Sequence, residues 1–270
     1  CIRDRLKIRA SYGELGANFL NPYNFDAIAY GPIPYTVGGE RYVTGRAAYL
    51  KSKDLKWETA KTTDIGIELG FFNNDLTLSL DYFVKKNVDL LAQIDLNLSS
   101  GQIFEINSSR EKPYVNTASV KNTGWEFMMN YRKQLTKDFH IDATFNIATL
   151  KNKVLSLGEN VQPITSGAMS SYFNDAPSIT MPGEAIGSFY GYKIDGFDAE
   201  GNFIFADMDK NGVVNANDKV ILGSPIPDFT YGLNINMEYK DFDLTLFFQG
   251  VQGNDIFNQK KYTYYFDYSN

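Results

Sequence analysis

Oxygen-bearing side chains recur at a regular spacing between residues 207 and 218. Counted from Asp207 as position 1, they occupy positions 1, 3, 5, 9 and 12 and are Asp207, Asp209, Asn211, Asn215 and Asp218. This spacing is typical of EF-hand-type calcium loops, in which alternate oxygen ligands turn inward toward a hard cation. The sequence therefore predicts a metal site in this stretch.

Two residues inside the stretch support the same chemistry. Gly212 stands where such a loop turns sharply, and the backbone carbonyl of Val213 supplies a further ligand. Asp218 replaces the usual glutamate at the last position, as in dockerin repeats, but no helical pattern flanks the loop. The alternative is an Asp/Asn-Gly turn cluster that only solvates a loop. We predict a structural Ca²⁺, with Mg²⁺ as the alternative, held by Asp207, Asp209, Asn211, Val213, Asn215 and Asp218.

The sequence offers little for catalysis or for nucleic-acid binding. A serine hydrolase needs a histidine beside its nucleophile, and the single histidine, His140, lies near a short turn on the polar side of its strand. The net charge is −6, and no basic cluster provides a footprint for nucleic acid. We therefore predict that the protein is not an enzyme and that it binds no nucleic acid.

The clearest structural pattern is an alternation of apolar and polar residues over 229–251. Every odd position from 229 to 239 is apolar, and every even position from 230 to 240 is small or polar. After residues 240–241 the parity reverses, and up to residue 249 only Phe247 departs from it. Alternate side chains of a strand point to opposite faces. The stretch therefore predicts two antiparallel strands around a tight turn, each with one apolar and one polar face.

The length of these strands leaves two interpretations open. Each arm has ten or eleven residues, whereas strands of globular proteins usually have about five or six. Tilted strands of about 9 to 11 residues cross the hydrocarbon core of a bilayer. A long hairpin of a soluble β-sandwich shows the same alternation, so the hairpin alone does not decide whether its apolar face meets lipid or a protein core.

The same alternation recurs elsewhere along the chain, in 5–13, 64–85 and 125–147. Aromatic residues at 15% and 22 glycines favour strands and turns. No run of 18 apolar residues is present, so the sequence predicts no transmembrane helix. We expect an all-β fold of antiparallel strands.

The connections between the predicted strands are strongly unequal. The short turns are at 73–75, 133–138 and 240–241, and the long connections are near 14–62, 97–113, 158–228 and 257–270. Transmembrane barrels have short periplasmic turns and long extracellular loops, whereas a sandwich has no reason to place every long loop at one end. The pattern predicts an arc of about seven spanning strands in a transmembrane β-barrel. The apolar run 186–194 lies within a connection that starts and ends on one side of the membrane, so we expect it to extend strands above the membrane rather than to cross it.

Five segments give the chain a specific resemblance. They are LKIRASYGELGAN (6–18), LKWETAKTTDIGIELGFFNNDLTLSLDYFVKKNVDLL (55–91), VNTASVKNTGWEFMMNY (115–131), PGEAIGSFYGYKIDGF (182–197) and DMDKNGVVNANDKVILGSPIPDFTYGLNINMEYKDFDLTLFFQGVQGNDIFN (207–258). In this order they resemble TonB-dependent outer-membrane transporters of the SusC/RagA type from Bacteroidetes. The resemblance implies that residues 1–270 are part of the C-terminal half of a barrel of about 22 strands, without the plug domain and the final strands.

The resemblance also implies a function and partners. It implies active import of oligosaccharides or peptides across the bacterial outer membrane, with a SusD-like surface lipoprotein as partner. Energy would come from the TonB–ExbB–ExbD complex through the plug. The alternative is a non-transporting outer-membrane receptor or adhesin whose surface loop is stapled by Ca²⁺. Residues that contact substrate are not predicted.

Overall fold

The computed structural model describes residues 5–18, 29–47, 55–93, 114–158, 161–167, 176–258 and 260. Its strands, in chain order, are β1 (Arg5–Ala17), β2 (Ala29–Val37), β3 (Glu40–Ala47), β4 (Glu58–Phe71), β5 (Leu76–Gln93), β6 (Tyr114–Thr136), β7 (Phe139–Thr149), β8 (Lys151–Ser156), β9 (Ile164–Ser166), β10 (Ser178–Thr180), β11 (Ser188–Tyr192), β12 (Ile194–Phe197), β13 (Phe203–Phe205), β14 (Lys219–Gly223), β15 (Phe229–Tyr239) and β16 (Phe242–Gln252). No helix among these residues is long and apolar enough to cross a membrane.

Seven long strands form one antiparallel sheet, which we call the wall. Its order is β1-β4-β5-β6-β7-β15-β16, and β8 pairs with the outer part of β6. Each wall strand lies beside the next wall strand of the chain, so the wall is a meander. The predicted arc of about seven strands matches this sheet.

The register of the wall keeps apolar residues beside apolar residues across strand after strand. Ile8 pairs with Ile67, which pairs with Leu80, which pairs with Phe127. The side chain of Ile8 is 68% exposed. A one-residue slip would move every side chain to the other face, so the alternating pattern fixes the register. The wall therefore presents one continuous apolar face and one continuous polar face, and the apolar face is not covered by protein in the described residues.

Short turns join the wall strands at one end. Asn73 and Asn74 have positive φ in the turn between β4 and β5, and Lys240 has positive φ in the turn between β15 and β16. Asparagine tolerates this left-handed conformation better than most residues. The connections at the other end are long, as the sequence predicts. The segment 97–113 lies outside the described residues, as does most of 257–270.

The long connections between the wall strands form small sheets of their own. β14, β11, β10 and β9 form a four-stranded sheet, and β2 pairs with β3 and β12 with β13. The run 186–194 therefore does not extend the wall, because β11 pairs with β10 and β14 instead. Of the two partners, β10 is close in sequence and β14 is distant, and the local apolar pattern does not identify β14.

A compact hydrophobic core lies in the outer region. Ala118 and Val120 of β6 are buried together with Val154 of β8 and with Leu157. Leu90 and Val161 pack against this cluster. The core thus forms at the end of β5 and β6 that is farther from the short turns, where β8 pairs with β6. The outer region is held by a conventional core, whereas the wall turns its apolar residues outward.

Candidate functional site

The predicted metal loop, residues 207–218, connects β13 to β14 and is called the acidic loop below. Carboxylate oxygens of Asp207, Asp209 and Asp218 all lie within 4.8 Å of one another. Asp209 and Asp218 are two and eleven positions after Asp207, so the fold of the loop brings the three carboxylates together. Three converging carboxylates form an oxygen-rich, negatively charged cluster, the ligand type that hard divalent cations prefer.

Hydrogen bonds from the backbone wrap the chain around the first two carboxylates. Asp207 accepts from the N–H of Asn211 through Oδ1 at 3.2 Å and from the N–H of Gly212 through Oδ2 at 2.7 Å. Asp209 Oδ1 accepts from the same Asn211 N–H at 3.0 Å. Gly212 has φ +86°, where a residue with a side chain is strained. The turn that the sequence predicts at Gly212 is thus present.

Asp218 closes the loop from its far end. It is fully buried, and its Oδ1 accepts from the N–H groups of Met208 at 2.8 Å and Asp209 at 3.3 Å. Its Oδ2 accepts from the N–H of Asn215 at 2.7 Å. The pKa of the Asp218 carboxyl lies below its ordinary value, chiefly because the N–H of Asn215 donates to it. Burial raises this pKa, but the N–H donors of Met208 and Asp209 lower it further, so the net shift is downward. Asp218 remains ionised at neutral pH and ties the two halves of the loop together.

The other three predicted ligands take part in hydrogen bonds within the loop. Asn211 Oδ1 accepts from the N–H of Val213 at 2.8 Å, and Asn211 Nδ2 donates to Asp209 Oδ2 at 2.8 Å. The Val213 carbonyl accepts from Asn215 Nδ2 at 3.1 Å. The acidic members of the predicted set therefore converge, whereas the amide and carbonyl members are engaged with one another.

The polar face of the wall carries a second group of polar contacts. Arg9 of β1 donates to both carboxylate oxygens of Asp81 in β5, from Nε at 3.0 Å and from Nη2 at 2.5 Å. Ser79 Oγ also donates to Asp81, at 2.9 Å. Arg5 and Lys7 both form ion pairs with Glu68 on β4. The alternation predicts that these side chains share a face, but it gives no sign of which cation meets which carboxylate.

Farther along the wall the same face becomes less charged. Arg132 of β6 donates to Asp142 of β7 from Nε at 2.8 Å and from Nη2 at 2.6 Å. Thr144 Oγ1 donates to Asn130 Oδ1 at 2.8 Å one level farther from the short turns. The polar face thus combines ion pairs with hydroxyl and carboxamide groups.

Comparison with known proteins decides the family. A family model described as "TonB dependent receptor-like, beta-barrel" matches residues 2–270. The chain belongs to this TonB-dependent receptor family. It is 36% identical over 269 residues to TonB-dependent receptor P3 of Formosa agariphila, covering 93% of this chain and 26% of that protein. It is 30% identical over 274 residues to TonB-dependent receptor SusC of Bacteroides thetaiotaomicron, covering 93% of this chain and 25% of that protein.

Solved structures have the same fold. The RagAB peptide importer in its "open-open" state superposes with a TM-score of 0.72 at 22% identity, covering 92% of this chain and 26% of that one. Its "closed-closed" state gives a TM-score of 0.67, covering 92% of this chain and 27% of that one. The resemblance to SusC/RagA-type receptors and the expected antiparallel barrel arc are both confirmed. The chain spans about a quarter of the length of the curated relatives that it matches.

Family membership gives the two faces of the wall their surroundings. TonB-dependent receptors are outer-membrane proteins, and the family is one of transporters rather than enzymes. In an outer-membrane barrel the apolar face of each strand meets lipid and the polar face lines the interior. Ile8 and Ile67 thus belong to the lipid-facing surface, and Arg9 and Asp81 to the interior.

Proposed function

We propose that this chain forms part of the barrel wall of an outer-membrane importer that takes up oligosaccharides or peptides. The observation that carries the proposal is the separation of a mainly apolar face from a mainly polar face across seven paired strands. A wall of this kind meets lipid on one side and surrounds a hydrated passage on the other. The similarity to SusC, and the fold shared with an importer of peptides, support the same function.

The proposed importer also needs a source of energy and a partner at the cell surface. We infer that import is driven by TonB–ExbB–ExbD and that a SusD-like lipoprotein binds on the outer side. The outer sheets support a partner there, because exposed aromatic side chains lie on their surface. Phe197 and Phe203 of the β12–β13 pair are exposed and lie with their ring centroids 5.3 Å apart. Exposed aromatic groups of this kind are enriched where proteins meet partners.

Energised uptake tests the importer. The full-length protein that contains this chain is expressed in cells that have its TonB system, and radiolabelled maltoheptaose and a labelled tryptic peptide pool are supplied separately. We expect one of the two probes to accumulate, and a protonophore to abolish accumulation. Binding of a probe to the cell surface without accumulation would instead support the receptor or adhesin.

We also propose that the acidic loop holds a structural Ca²⁺. Asp207, Asp209 and Asp218 would provide carboxylate ligands, with oxygens of Asn211, Asn215 and the Val213 carbonyl completing the set. The ion would stabilise the connection from β13 to β14, and it has no step in transport. The spacing of the oxygen residues and the convergence of the three carboxylates within 4.8 Å support this role.

Terbium luminescence on the purified full-length protein tests the ion. Tb³⁺ replaces Ca²⁺ at oxygen sites, and we expect a signal that Ca²⁺ competes away more effectively than Mg²⁺. Asp209→Asn should weaken it at least tenfold, because a charged ligand is lost. Asp195→Asn is the matched control, since Asp195 is exposed on nearby β12 and outside the loop. Equal signals from both variants would exclude the site.

A further inference from the structure

Lysine recurs at one level of four adjacent strands. Lys61 of β4 pairs with Lys86 of β5, Lys86 pairs with Lys121 of β6, and Lys121 pairs with Lys153 of β8. We call these four residues the lysine row. Neighbouring strands lie about 4.8 Å apart, so four cationic side chains start within roughly 15 Å of one another. Like charges directly opposite on paired strands destabilise a sheet, so strand pairing gives no reason for the row.

The positive charge of the lysine row is neutralised at one end. Glu14 of β1 pairs with Lys61 and forms an ion pair with it at 3.1 Å. Among the residues that the structure describes, no carboxylate forms an ion pair with Lys86, Lys121 or Lys153. Three ammonium groups therefore stand side by side, and an anion from outside the described chain would relieve their repulsion.

The lysine row lies on the lipid-facing side of the wall. The register between β5 and β6 is unbroken from the short turns up to Lys86 and Lys121. Alternate residues of a strand share a face, so Lys121 lies on the face of Trp125 and Phe127, and Lys86 lies on the face of Tyr82. This face points away from the barrel interior. The row is therefore separate from the transport path.

The lysine row stands at the outer border of the apolar band. Phe71 lies at the short-turn end of β4, and Lys61 lies ten residues away on the same strand. Ten residues span roughly 34 Å, which a strand tilt of about 40° reduces to roughly 26 Å of height. The apolar band of an outer-membrane barrel is about 25 Å tall, ends in aromatic girdles and has its short turns in the periplasm. Tyr82 and Trp125, with ring centroids 4.7 Å apart, lie four residues nearer the short turns than the row.

We propose that the lysine row binds the phosphate groups of lipid head groups in the outer leaflet. Its height places the ammonium groups where head groups begin, and its charge is complementary to phosphate. A lysine ammonium is a compact charge with three donors on a flexible stem, so neighbouring lysines can converge on phosphate oxygens. Each lysine near an anionic membrane surface contributes about fivefold in affinity. The site depends neither on the imported solute nor on the acidic loop.

Native mass spectrometry of the purified full-length protein in a neutral detergent tests the lysine row. The probe is bisphosphorylated lipid A, and dephosphorylated lipid A with the same acyl chains is the comparison. We expect the wild type to bind the phosphorylated lipid more tightly by about tenfold or more. The triple variant Lys86→Gln, Lys121→Gln and Lys153→Gln should reduce this preference to about threefold or less, and Lys86→Gln alone should lose about fivefold.

A second triple variant is the matched control, because it removes the same charge from outside the row. Lys85→Gln lies on the polar face of β5, Lys137→Gln in the short turn between β6 and β7, and Lys193→Gln between β11 and β12. We expect it to keep the wild-type preference for the phosphorylated lipid. Both triple variants should keep the heat-modifiable mobility of the folded barrel, since neither removes a buried apolar side chain.

Four results would overturn the proposal. The wild type could bind both lipids equally, or the two triple variants could lose the preference to the same extent, which would assign it to net charge. Millimolar inorganic phosphate could abolish the preference, which would assign the row to free phosphate. The row variant could keep the preference and instead lose a co-purifying surface lipoprotein, which would assign the row to a protein partner.

Discussion

Arg9 and Asp81 are joined across an intervening strand. Both residues pair with Gly66 of β4, Arg9 from β1 on one side and Asp81 from β5 on the other. Because glycine has no side chain, the guanidinium reaches over β4 and donates two hydrogen bonds to the carboxylate. The pair therefore links three strands of the wall at one point, on the face that lines the interior.

Gly66→Ala should separate this pair. A Cβ at this position would lie 1.8 Å from Asp81 Oδ1 and 2.7 Å from Arg9 Nε, so one of the two side chains must move away. We expect the temperature at which the full-length barrel loses its heat-modifiable mobility on a gel to fall by about 2 to 4 °C.

Gly13→Ala is the control for this substitution, because a Cβ at Gly13 of β1 would meet nothing within 4 Å. It should leave the transition temperature unchanged. If Gly66→Ala and Gly13→Ala had the same transition temperature, the Arg9–Asp81 pair would not contribute to the stability of the wall.

Adjacent residues of β15 should differ in their access to water. Leu233 lies on the apolar face beside Phe145 and Phe248, and Asn234 lies on the polar face. In the full-length protein in its membrane, we expect a water-soluble maleimide to label Asn234→Cys and to leave Leu233→Cys unmodified. Labelling of Leu233→Cys alone would reverse the assignment of the two faces.

The acidic loop should open in acid. The pKa of Asp218 is lowered in the folded protein, so its carboxylate stabilises the loop above the ordinary aspartate pKa of about 3.9. This stabilisation is lost as the pH falls through the lower pKa that Asp218 has in the folded protein. Hydrogen exchange of the peptide 207–218, corrected for intrinsic rates, should accelerate below about pH 4 in the wild type.

Asp218→Asn should exchange rapidly at neutral pH and show no such acid step, since a carboxamide nitrogen cannot accept from the N–H of Asn215. Asp195→Asn should follow the wild type throughout. An acid step that persists in Asp218→Asn would assign it to another group.

Val154→Ala should loosen the outer region without opening the wall. Val154 is fully buried against Ala118, Val120 and Leu157, and truncation removes two methyl groups and leaves a cavity. We expect a local loss of about 2 kcal/mol, seen as faster hydrogen exchange in β8 and in the outer part of β6. Leu155→Ala is the control, because Leu155 is partly exposed on the same strand. Equal effects from both variants would show that the buried cluster does not hold the outer region.

The sequence by itself determined the wall. A period of two is a local property of a strand, so the alternation around Leu233 and Asn234 identified both the strands and their two faces before any pairing was known. The short turns and long connections then indicated a membrane barrel, and the motif order indicated its family. The departure at Phe247 was equally visible, although its surroundings were not.

Tertiary structure decided the contacts between segments that are far apart in sequence. Arg9 meets Asp81 only because β4 lies between their strands with Gly66 at that level. Likewise, β11 pairs with the distant strand β14 rather than with the wall. The convergence of Asp207, Asp209 and Asp218 follows the oxygen spacing, but the burial of Asp218 under three backbone N–H groups does not. Periodicity records which way a side chain points, whereas its partner depends on which strand the chain places beside it, and that choice is made by long-range packing.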